Sequence, residues 1–312
     1  MLRLTVKKDG SGSYSTISEA INAIPYNTKA QIIVGEGVYE EQLFSDKANL
    51  ELVAEEGKCV AVKQDLSART ILSDGRKRGT FRSYTAFFSG KMLTIEGITF
   101  INEAGSAEEA GQAIALYLDV TSSKLKNVKL ISSQDTLFLA PLPENEREVG
   151  GFYGPRCFAR RTKNKVIIED SYIEGSIDFI FGGATAEFYN CQIVSNGSGY
   201  VTAPSTDKGY PGFTFSHCSF KSKDKEAKVY LMRPWREYAF VSFLDCNFAK
   251  EIVFPGFTPW PRREAEAECA SFKVVRCSYE GREGEINYSH PNTSSFLDNN
   301  SKTVNNEDVG RN

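Results

Sequence analysis

The sequence predicts an all-β solenoid, a fold in which short strands are wound into stacked coils. One observation is a four-residue pattern, polar-small-polar-apolar, that recurs at intervals of 20 to 31 residues. Another is that the stretches between its copies are short and rich in Val, Ile, Phe, Tyr and Thr, without long helical patterns. A repeat of this length in a β-rich chain is typical of solenoids with one strand-turn unit per coil.

The recurring pattern also predicts how the interior is packed. Its clear copies are Asp170-Ser171-Tyr172-Ile173, Asn190-Cys191-Gln192-Ile193, His217-Cys218-Ser219-Phe220, Asp245-Cys246-Asn247-Phe248 and Arg276-Cys277-Ser278-Tyr279, and weaker copies begin at Gly97 and Asn127. Equivalent side chains of stacked coils line up, so the four cysteines of the pattern should form one line of free, buried thiols. The chain has seven cysteines, no CxxC pair and two histidines, so neither a zinc site nor a dense disulfide framework is expected.

Other segments are assigned in chain order. The run Thr16-Ile17-Ser18-Glu19 has the form of a capping box, and Ile17, Ala20, Ile21 and Ile24 give an apolar face before Pro25. The helix so predicted would cover the open first coil, whose strand edges would otherwise be unpaired. A proline-rich, charged segment, residues 140–164, interrupts the period and is predicted to be a surface excursion beside Asp135. Residues 1–290 are predicted to form the β-domain and residues 291–312 a polar tail.

Charge and composition narrow the choice of partners and compartment. The net charge of −3 gives no overall attraction to nucleic acid or anionic lipid, although a local basic groove could bind a polyanion. The first residues lack the apolar core of a secretory signal, and no stretch is long enough to span a bilayer. We therefore expect a monomeric cytoplasmic protein that binds neither nucleic acid nor membrane. Secretion is the alternative if a leader preceded these residues.

Two aspartates interrupt apolar runs, at Gln134-Asp135-Thr136-Leu137 and Asp178-Phe179-Ile180-Phe181-Gly182. A buried acid usually has a specific function, because removing a carboxylate from water is costly in free energy. Taken singly, a Gln-Asp pair is more often a turn device, and an acid can simply begin a strand. The run Arg233-Pro234-Trp235 could likewise provide only a surface ion pair and a packed ring.

Taken together, these features predict an active site. Gln112 and Gln134 are 22 residues apart, about one coil, and Asp135 and Asp178 are 43 apart, one coil plus the excursion. Strands of adjacent coils lie ~4.8 Å apart, so residues at equivalent coil positions meet on one face. Two carboxyls, two amides and a cation in one patch can perform acyl transfer: a nucleophile, a proton carrier, donors to an oxyanion and a charge that keeps the nucleophile ionised.

The same residues in the same order resemble the pectin methylesterases, and the bacterial branch resembles the chain more closely. The likeness covers about Lys7 to Tyr288. It includes Asp9-Gly10-Ser11-Gly12, Gly37-Val38-Tyr39, Gly79-Thr80-Phe81 and Ala203-Pro204-Ser205-Thr206. The resemblance implies a right-handed parallel β-helix that hydrolyses methyl esters of polygalacturonate or its oligomers to free carboxylate and methanol. It implies no metal and no organic cofactor.

The resemblance also implies a role for each residue of the patch. Asp178 would be the nucleophile and Asp135 the general acid and base. Gln112 and Gln134 would hold the oxyanion, and Arg233 would be hydrogen-bonded to the nucleophile. We expect Arg233 to lower the pKa of Asp178, while apolar surroundings and the charge of Asp178 raise the pKa of Asp135. The sugar-binding positions in the groove would be Thr80, Phe181, Trp235 and Trp260.

Three features depart from the family pattern. Met232 stands where the family usually has Gly, and its side chain is expected to narrow the groove or contact the sugar. Ser171 replaces a Cys that many relatives pair with the counterpart of Cys191, which fits a reducing compartment. The excursion should lengthen one wall of the site, which suits short or branched fragments as well as polymer.

Two other functions remain open at this point. The same five residues could hydrolyse another ester, such as an acetyl group. A β-helix could also bind acidic glycans without turnover, although binding would not need the nucleophile and the amide pair together. A Ca²⁺-dependent pectate lyase is disfavoured, because no acidic cluster stands out in the sequence.

Overall fold

A computed structural model describes residues 1–290 of the chain, and the tail predicted for residues 291–312 lies outside the described residues. The described part contains 22 strands, three short α-helices and one 3₁₀ turn. No helix in residues 1–290 is long and apolar enough to cross a membrane. The helices are α1 (Ile17–Ala23), α2 (Ala107–Ala110) and α3 (Glu264–Ala267), and the 3₁₀ turn is Thr80–Arg82. The strands are β1 (Leu2–Val6), β2 (Lys29–Val34), β3 (Gly37–Tyr39), β4 (Leu43–Ser45), β5 (Asn49–Ala54), β6 (Val60–Gln64), β7 (Ala86–Glu96), β8 (Ile98–Asn102), β9 (Leu116–Lys126), β10 (Lys129–Ile131), β11 (Leu137–Leu139), β12 (Lys165–Glu169), β13 (Tyr172–Gly182), β14 (Thr185–Tyr189), β15 (Gln192–Pro204), β16 (Phe213–Ser216), β17 (Ser219–Ser222), β18 (Val229–Met232), β19 (Phe240–Leu244), β20 (Asn247–Phe248), β21 (Ser271–Tyr279) and β22 (Ile286–Ser289).

The strands form three parallel stacks that are the three faces of a β-helix. Face A contains β1, β2, β5, the second halves of β7 and β9, then β12, β14, β16, β19 and β21. Face B contains β3, β6, β8, β10, the first parts of β13 and β15, then β17 and β20. Face C contains β4, the first halves of β7 and β9, then β11, the ends of β13 and β15, and β18. Only β22 pairs antiparallel, with β21, among the strands described.

The recurring sequence pattern marks the corner between face A and face B. Its first residue takes a left-handed backbone, with φ between 49° and 55°, in Asn127, Asp170, Asn190, His217, Asp245 and Arg276. Asn and Asp tolerate this conformation better than most residues, which explains why polar side chains recur there. The second residue of the pattern turns inward. The corner therefore explains both the polar and the small position of the repeat.

The cysteines at this inward position form a line through the core. Cys191, Cys218, Cys246 and Cys277 are buried and free. The Cys191 amide donates to the Cys218 sulfur at 3.4 Å, and the Cys246 amide to the Cys277 sulfur at 3.3 Å. Ser171 occupies the same place one coil earlier, and its hydroxyl donates to the Glu169 carbonyl at 2.6 Å. The predicted line of free, buried cysteines is confirmed.

Helix α1 covers the first coil, as predicted, by packing against β1, β2 and β4. Ile17, Ala20, Ile21 and Ile24 are all buried. The Thr16 hydroxyl caps the helix by accepting from the Glu19 amide at 3.2 Å. The capping box is only half formed, since Glu19 does not accept from the Thr16 amide; the Glu41 carboxylate in addition accepts from the Ile17 and Ser18 amides at 2.9 and 2.8 Å.

An outer aromatic cluster packs on the outside of face C, separate from the interior core. Phe87, Tyr117, Phe138 and Phe181 occupy matching positions on successive coils. Neighbouring ring centroids in this row are 4.7 to 4.9 Å apart, which is favourable packing for aromatic side chains. The cluster also contains Phe81, Tyr84, Ile114, Ala140, Leu142 and Ala203, with Phe152 and Trp235 at its edge.

The excursion between β11 and β12 has no strand or helix over residues 140–164, as the broken sequence period predicted. It lies against the outer aromatic cluster, since the Phe152 ring is 5.7 Å from that of Phe81. Its Arg156 pairs with Asp119 of β9 at 2.5 Å. The excursion is therefore attached to face C, the face that carries the predicted site.

Candidate active site

The two predicted catalytic acids lie at equivalent positions of adjacent coils, at the corner between face B and face C. Gln134 pairs with Ile177 in a parallel bridge, so the residues that follow them, Asp135 and Asp178, are neighbours. The Asp135 amide donates to the Ile177 carbonyl at 3.0 Å. Both acids are 7% exposed, and both have a left-handed backbone, with φ of 64° and 50°. Such conformations cost about 1–3 kcal/mol and cluster at functional sites.

Arg233 follows β18 and holds Asp178 with two hydrogen bonds. Its Nε donates to Oδ1 of Asp178 at 3.1 Å, and its Nη2 donates to Oδ2. The guanidinium lies between two rings, with Cζ 3.8 Å from the Tyr200 ring centroid and 3.4 Å from that of Trp260. The nucleophile predicted from sequence is thus fixed by a cation that is itself held on both faces.

The two glutamines lie in the same row of coil positions. Gln112 pairs with Gln134, and Gln134 with Ile177, in parallel bridges on three successive coils. The Gln134 carbonyl accepts from the Ala113 amide at 3.0 Å, which fixes this register. Both glutamine side chains are half-buried. The structure therefore brings the two amides to the corner where the two acids meet, as the 22-residue spacing predicted.

The electrostatics of the two acids differ from the prediction in one respect. Burial, and then the charge of Asp178, raises the pKa of Asp135 well above its ordinary value, while Arg233 and Gln134 lower it. Burial also raises the pKa of Asp178, although Arg233 lowers it by its charge and hydrogen bonds. Arg233 lowers the pKa of Asp178, as predicted, but the larger effect of lost hydration, which was not predicted for this residue, leaves that pKa above its ordinary value. The predicted difference between the two pKa values remains, because the pKa of Asp135 is raised further than that of Asp178.

The predicted sugar-binding residues fall in two places. Phe181 is buried in the outer aromatic cluster, and the half-buried Trp235 ring is 5.8 Å from it. Thr80 is half-buried at the start of the 3₁₀ turn, next to Phe81 of the same cluster. Trp260 lies elsewhere, with one face against the Arg233 guanidinium. Sugar contacts by these four residues stay predictions, and Trp260 has a second task that the sequence did not suggest.

Met232 does not line the groove, so the expectation that it narrows the groove is wrong. Its side chain is fully buried and belongs to the interior core. It pairs with Thr202 on one side and Phe257 on the other. Leu231 is also in the interior core, so the last two residues of β18 both pack inward and strict strand alternation does not hold there.

Sequence reasoning missed two aromatic residues at the site. Tyr200 stacks on Arg233 and also on Tyr230, its register partner on the next coil, at a centroid distance of 5.6 Å. Their spacing of 30 residues, close to one coil, was a usable signal. Phe152 contacts Trp235 from the excursion, with centroids 6.1 Å apart. It had no such signal, because the excursion lies outside the repeat.

Within residues 1–290, no group of three or more His, Cys, Asp and Glu side chains is arranged to hold a metal ion.

Comparison with known proteins identifies the family of this chain. The family model described as Pectinesterase matches residues 3–143 and 161–273. The chain belongs to the pectinesterase family. It is 32% identical over 277 residues to a pectinesterase/pectinesterase inhibitor of Ficus pumila var. awkeotsang, covering 83% of the chain and 45% of the relative. It is 26% identical over 282 residues to pectinesterase 31 of Arabidopsis thaliana, covering 87% and 81%. The chain thus spans about half the length of several curated pectinesterases and most of others.

Solved structures of this family share the fold. The pectin methylesterase of carrot superposes with a TM-score of 0.73 at 24% identity, covering 91% of this chain and 85% of that one. The enzyme of Aspergillus niger gives 0.73 at 26%, covering 90% and 86%, and that of Erwinia chrysanthemi 0.70 at 26%, covering 90% of each. The prediction of a right-handed parallel β-helix is confirmed. A special closeness to the bacterial branch is not supported, since the pectinesterase relatives are mostly plant and fungal.

Proposed function

We propose that this protein is a pectin methylesterase, which hydrolyses methyl esters of polygalacturonate or its oligomers to free carboxylate and methanol. One observation carries the proposal: Asp178, paired with Arg233, lies beside the buried Asp135 on the adjacent coil. Family membership supports it, and the matched ranges contain all three residues of this arrangement. A solved pectin methylesterase with a bound hexasaccharide, 25% identical to this chain, has the same fold with a TM-score of 0.72.

In the first step, the Asp178 carboxylate attacks the carbonyl carbon of the methyl ester. Arg233 keeps Asp178 ionised and aims it, because the guanidinium holds both carboxylate oxygens. The amides of Gln112 and Gln134 donate to the oxyanion that forms. As the bond to the methoxy oxygen breaks, Asp135 gives that oxygen a proton and methanol leaves. The galacturonate acyl group is then joined to the Asp178 carboxyl as an anhydride. The raised pKa of Asp135 keeps it protonated for this task.

In the second step, Asp135, now a carboxylate, removes a proton from water. The hydroxide attacks the sugar-side carbonyl of the anhydride, and the bond to the Asp178 oxygen breaks. The products are a galacturonic acid group, an ionised Asp178 and a protonated Asp135, and the new acid group then gives its proton to solvent and becomes the free carboxylate. The two acids therefore return to their starting protonation states, and no cofactor enters the balance.

The test is a comparison of products from two kinds of ester. The purified protein should release methanol from methylated pectin and from methylated oligogalacturonides, with little acetate from acetylated glycans. Acetate release without methanol would assign the site to a different ester. Binding of polygalacturonate without any release would make the protein a glycan-binding β-helix, and either result would overturn the proposal.

We further propose a monomer that works in a reducing compartment such as the cytoplasm. All seven cysteines are free, including the line of four in the core. Ser171 stands one coil from Cys191, where a thiol would be needed for a bridge. Light scattering of the purified protein and localisation of a tagged full-length chain in its own cells would test the two parts separately.

A further inference from the structure

One part of the excursion lies outside the ranges that the family model matches. Residues 144–160, here called the insert, fall between the two ranges that the family model matches. The insert nevertheless reaches the wall of the proposed active site. Its Phe152 ring contacts both Trp235, two residues after Arg233, and Phe81 of the outer aromatic cluster.

The insert contacts Trp235 through both a ring and the backbone. The Phe152 ring lies edge-on to the Trp235 ring, at a centroid distance of 6.1 Å and an interplanar angle of 79°. Arg147 donates from Nη2 to the Trp235 carbonyl at 2.8 Å. Arg236 donates in the other direction, to the Asn145 carbonyl, also at 2.8 Å. These contacts fix the position of a tryptophan that is otherwise only half-buried.

The insert is itself held in a defined shape. The Glu146 carboxylate accepts from the amides of Gly150 and Phe152, at 3.0 and 3.5 Å. Arg156 pairs with the buried Asp119 at 2.5 Å and so ties the insert to β9. Gly154 packs directly on Phe81, where a Cβ atom would lie 2.6 Å from the Phe81 Cβ. A segment anchored at these points can support a neighbouring ring.

We propose that the insert is a specificity element: Phe152 positions the Trp235 ring, over which the Arg236 guanidinium also lies, so that the ring can stack on a sugar of the bound oligogalacturonide. The inference rests on the proposed function and deepens it. A ring fixed before binding loses less freedom when substrate arrives than a mobile one, so the insert lowers KM. Phe152 acts through Trp235 and is a positioning residue, not a catalytic one.

The kinetic test compares two phenylalanines of the same insert. Phe152→Ala should raise KM for methylated oligogalacturonides about three- to tenfold, as for a binding side chain that must be ordered, with kcat changed less than about twofold. Phe152→Tyr should restore KM. Phe158→Ala is the control, because Phe158 is 93% exposed. An unchanged KM in Phe152→Ala, an equal rise in Phe158→Ala, or a loss confined to kcat would overturn the proposal.

A spectroscopic test separates this proposal from the proposed function. The chain has two tryptophans, so Trp260→Phe leaves Trp235 as the only tryptophan emitter. In that background, Phe152→Ala should shift the Trp235 emission to longer wavelength and increase its quenching by acrylamide, whereas Phe158→Ala should change neither. Unchanged emission in Phe152→Ala defeats the inference even if the enzyme releases methanol. Absence of methanol release by the wild type instead defeats the proposed function, whatever the emission shows.

Discussion

Two corners of this β-helix use the same backbone conformation for different purposes. At the corner between face A and face B, six non-glycine residues with φ near +50° follow one another along the described coils. Asp245 among them is half-buried and the other five are exposed. At the corner between face B and face C, only Asp135 and Asp178 take this conformation in residues 1–290, and both are buried.

The difference teaches that the conformation alone does not mark a functional site. The exposed corner repeats because every coil must turn there, and its side chains remain in water. The buried corner places two carboxyls together in surroundings that raise the pKa of both. Burying a carboxyl whose charge is not fully compensated lowers stability. Such a carboxyl is therefore better explained by a function than by folding, and it indicates a functional site.

The largest effect should come from replacing an acid at the buried corner. Asp178→Asn and Asp135→Asn should each lower kcat for methanol release by about 10⁴-fold or more, since removing one member of a catalytic unit has effects of this size. Asp170→Asn is the matched control at the exposed corner, where Asp170 only accepts from the Asn190 amide at 2.7 Å. Near-normal activity of either buried variant, with folding confirmed by circular dichroism, would remove the distinction between the corners.

Stability should respond most strongly just beside the buried corner, at Met232. Because its side chain fills the interior core, Met232→Ala should lower the free energy of unfolding by about 2–5 kcal/mol. KM, measured well below the melting temperature, should stay within about twofold. Met92→Ala is the control, since Met92 is 62% exposed. Urea unfolding measures the free energy of unfolding. A large change in KM with unaltered stability would instead show that Met232 lines the groove.

A smaller effect is expected from the two rings that hold Arg233. Tyr200→Leu and Trp260→Leu should each lower kcat/KM by about 2- to 30-fold, matching the energy of one cation–aromatic contact. Arg233 lowers the pKa of Asp178, so a loosened Arg233 should move the acidic limb of the pH profile to higher pH. Phe at either position should restore both kcat/KM and the position of the acidic limb.

The control for these rings comes from the exposed corner. Tyr189→Leu removes a ring that lies edge-on to His217, with centroids 5.3 Å apart, and should leave the pH profile unchanged. If Tyr189→Leu moves the acidic limb as far as Tyr200→Leu does, the shift reflects general destabilisation and not the position of Arg233.

The smallest effect should be a gain in stability. The pKa of Asp135 is raised above its ordinary value of 3.8 in the folded state, so the folded chain holds this proton more tightly than the unfolded chain. The stability of the wild type should therefore fall as pH rises from about 3.8 through the folded pKa. Asp135→Asn removes this loss, so its melting temperature at neutral pH should exceed that of the wild type. The gain should be roughly 2–4 °C for each kcal/mol of unfolding free energy that the substitution recovers.

Asp170→Asn is again the control, and it should not raise the melting temperature at neutral pH. A wild-type melting temperature that rises steadily from pH 4 to pH 7, with no gain in Asp135→Asn, would show that the buried corner carries no uncompensated charge.

The sequence by itself determined the coil repeat, the cysteine line and the neighbourhood of Asp135 and Asp178. All three depend on register, and register in a parallel β-helix is set by the spacing of residues along the chain. A residue about one coil further on lies next to its predecessor because the backbone hydrogen bonds of adjacent coils require it. The same reasoning could have found Tyr200 through Tyr230, which pair in register on adjacent coils.

Only the tertiary structure decided which way individual side chains face and what surrounds them. Met232 was expected in the groove and lies in the core beside Leu231, because strict strand alternation does not hold at the end of β18. The net pKa of Asp178 is raised although Arg233 lowers it, because the depth of burial is a property of the packed site. Phe152 reaches Trp235 from a segment that follows no repeat. Register follows from local spacing, whereas burial and the path of an irregular segment depend on every element packed around them.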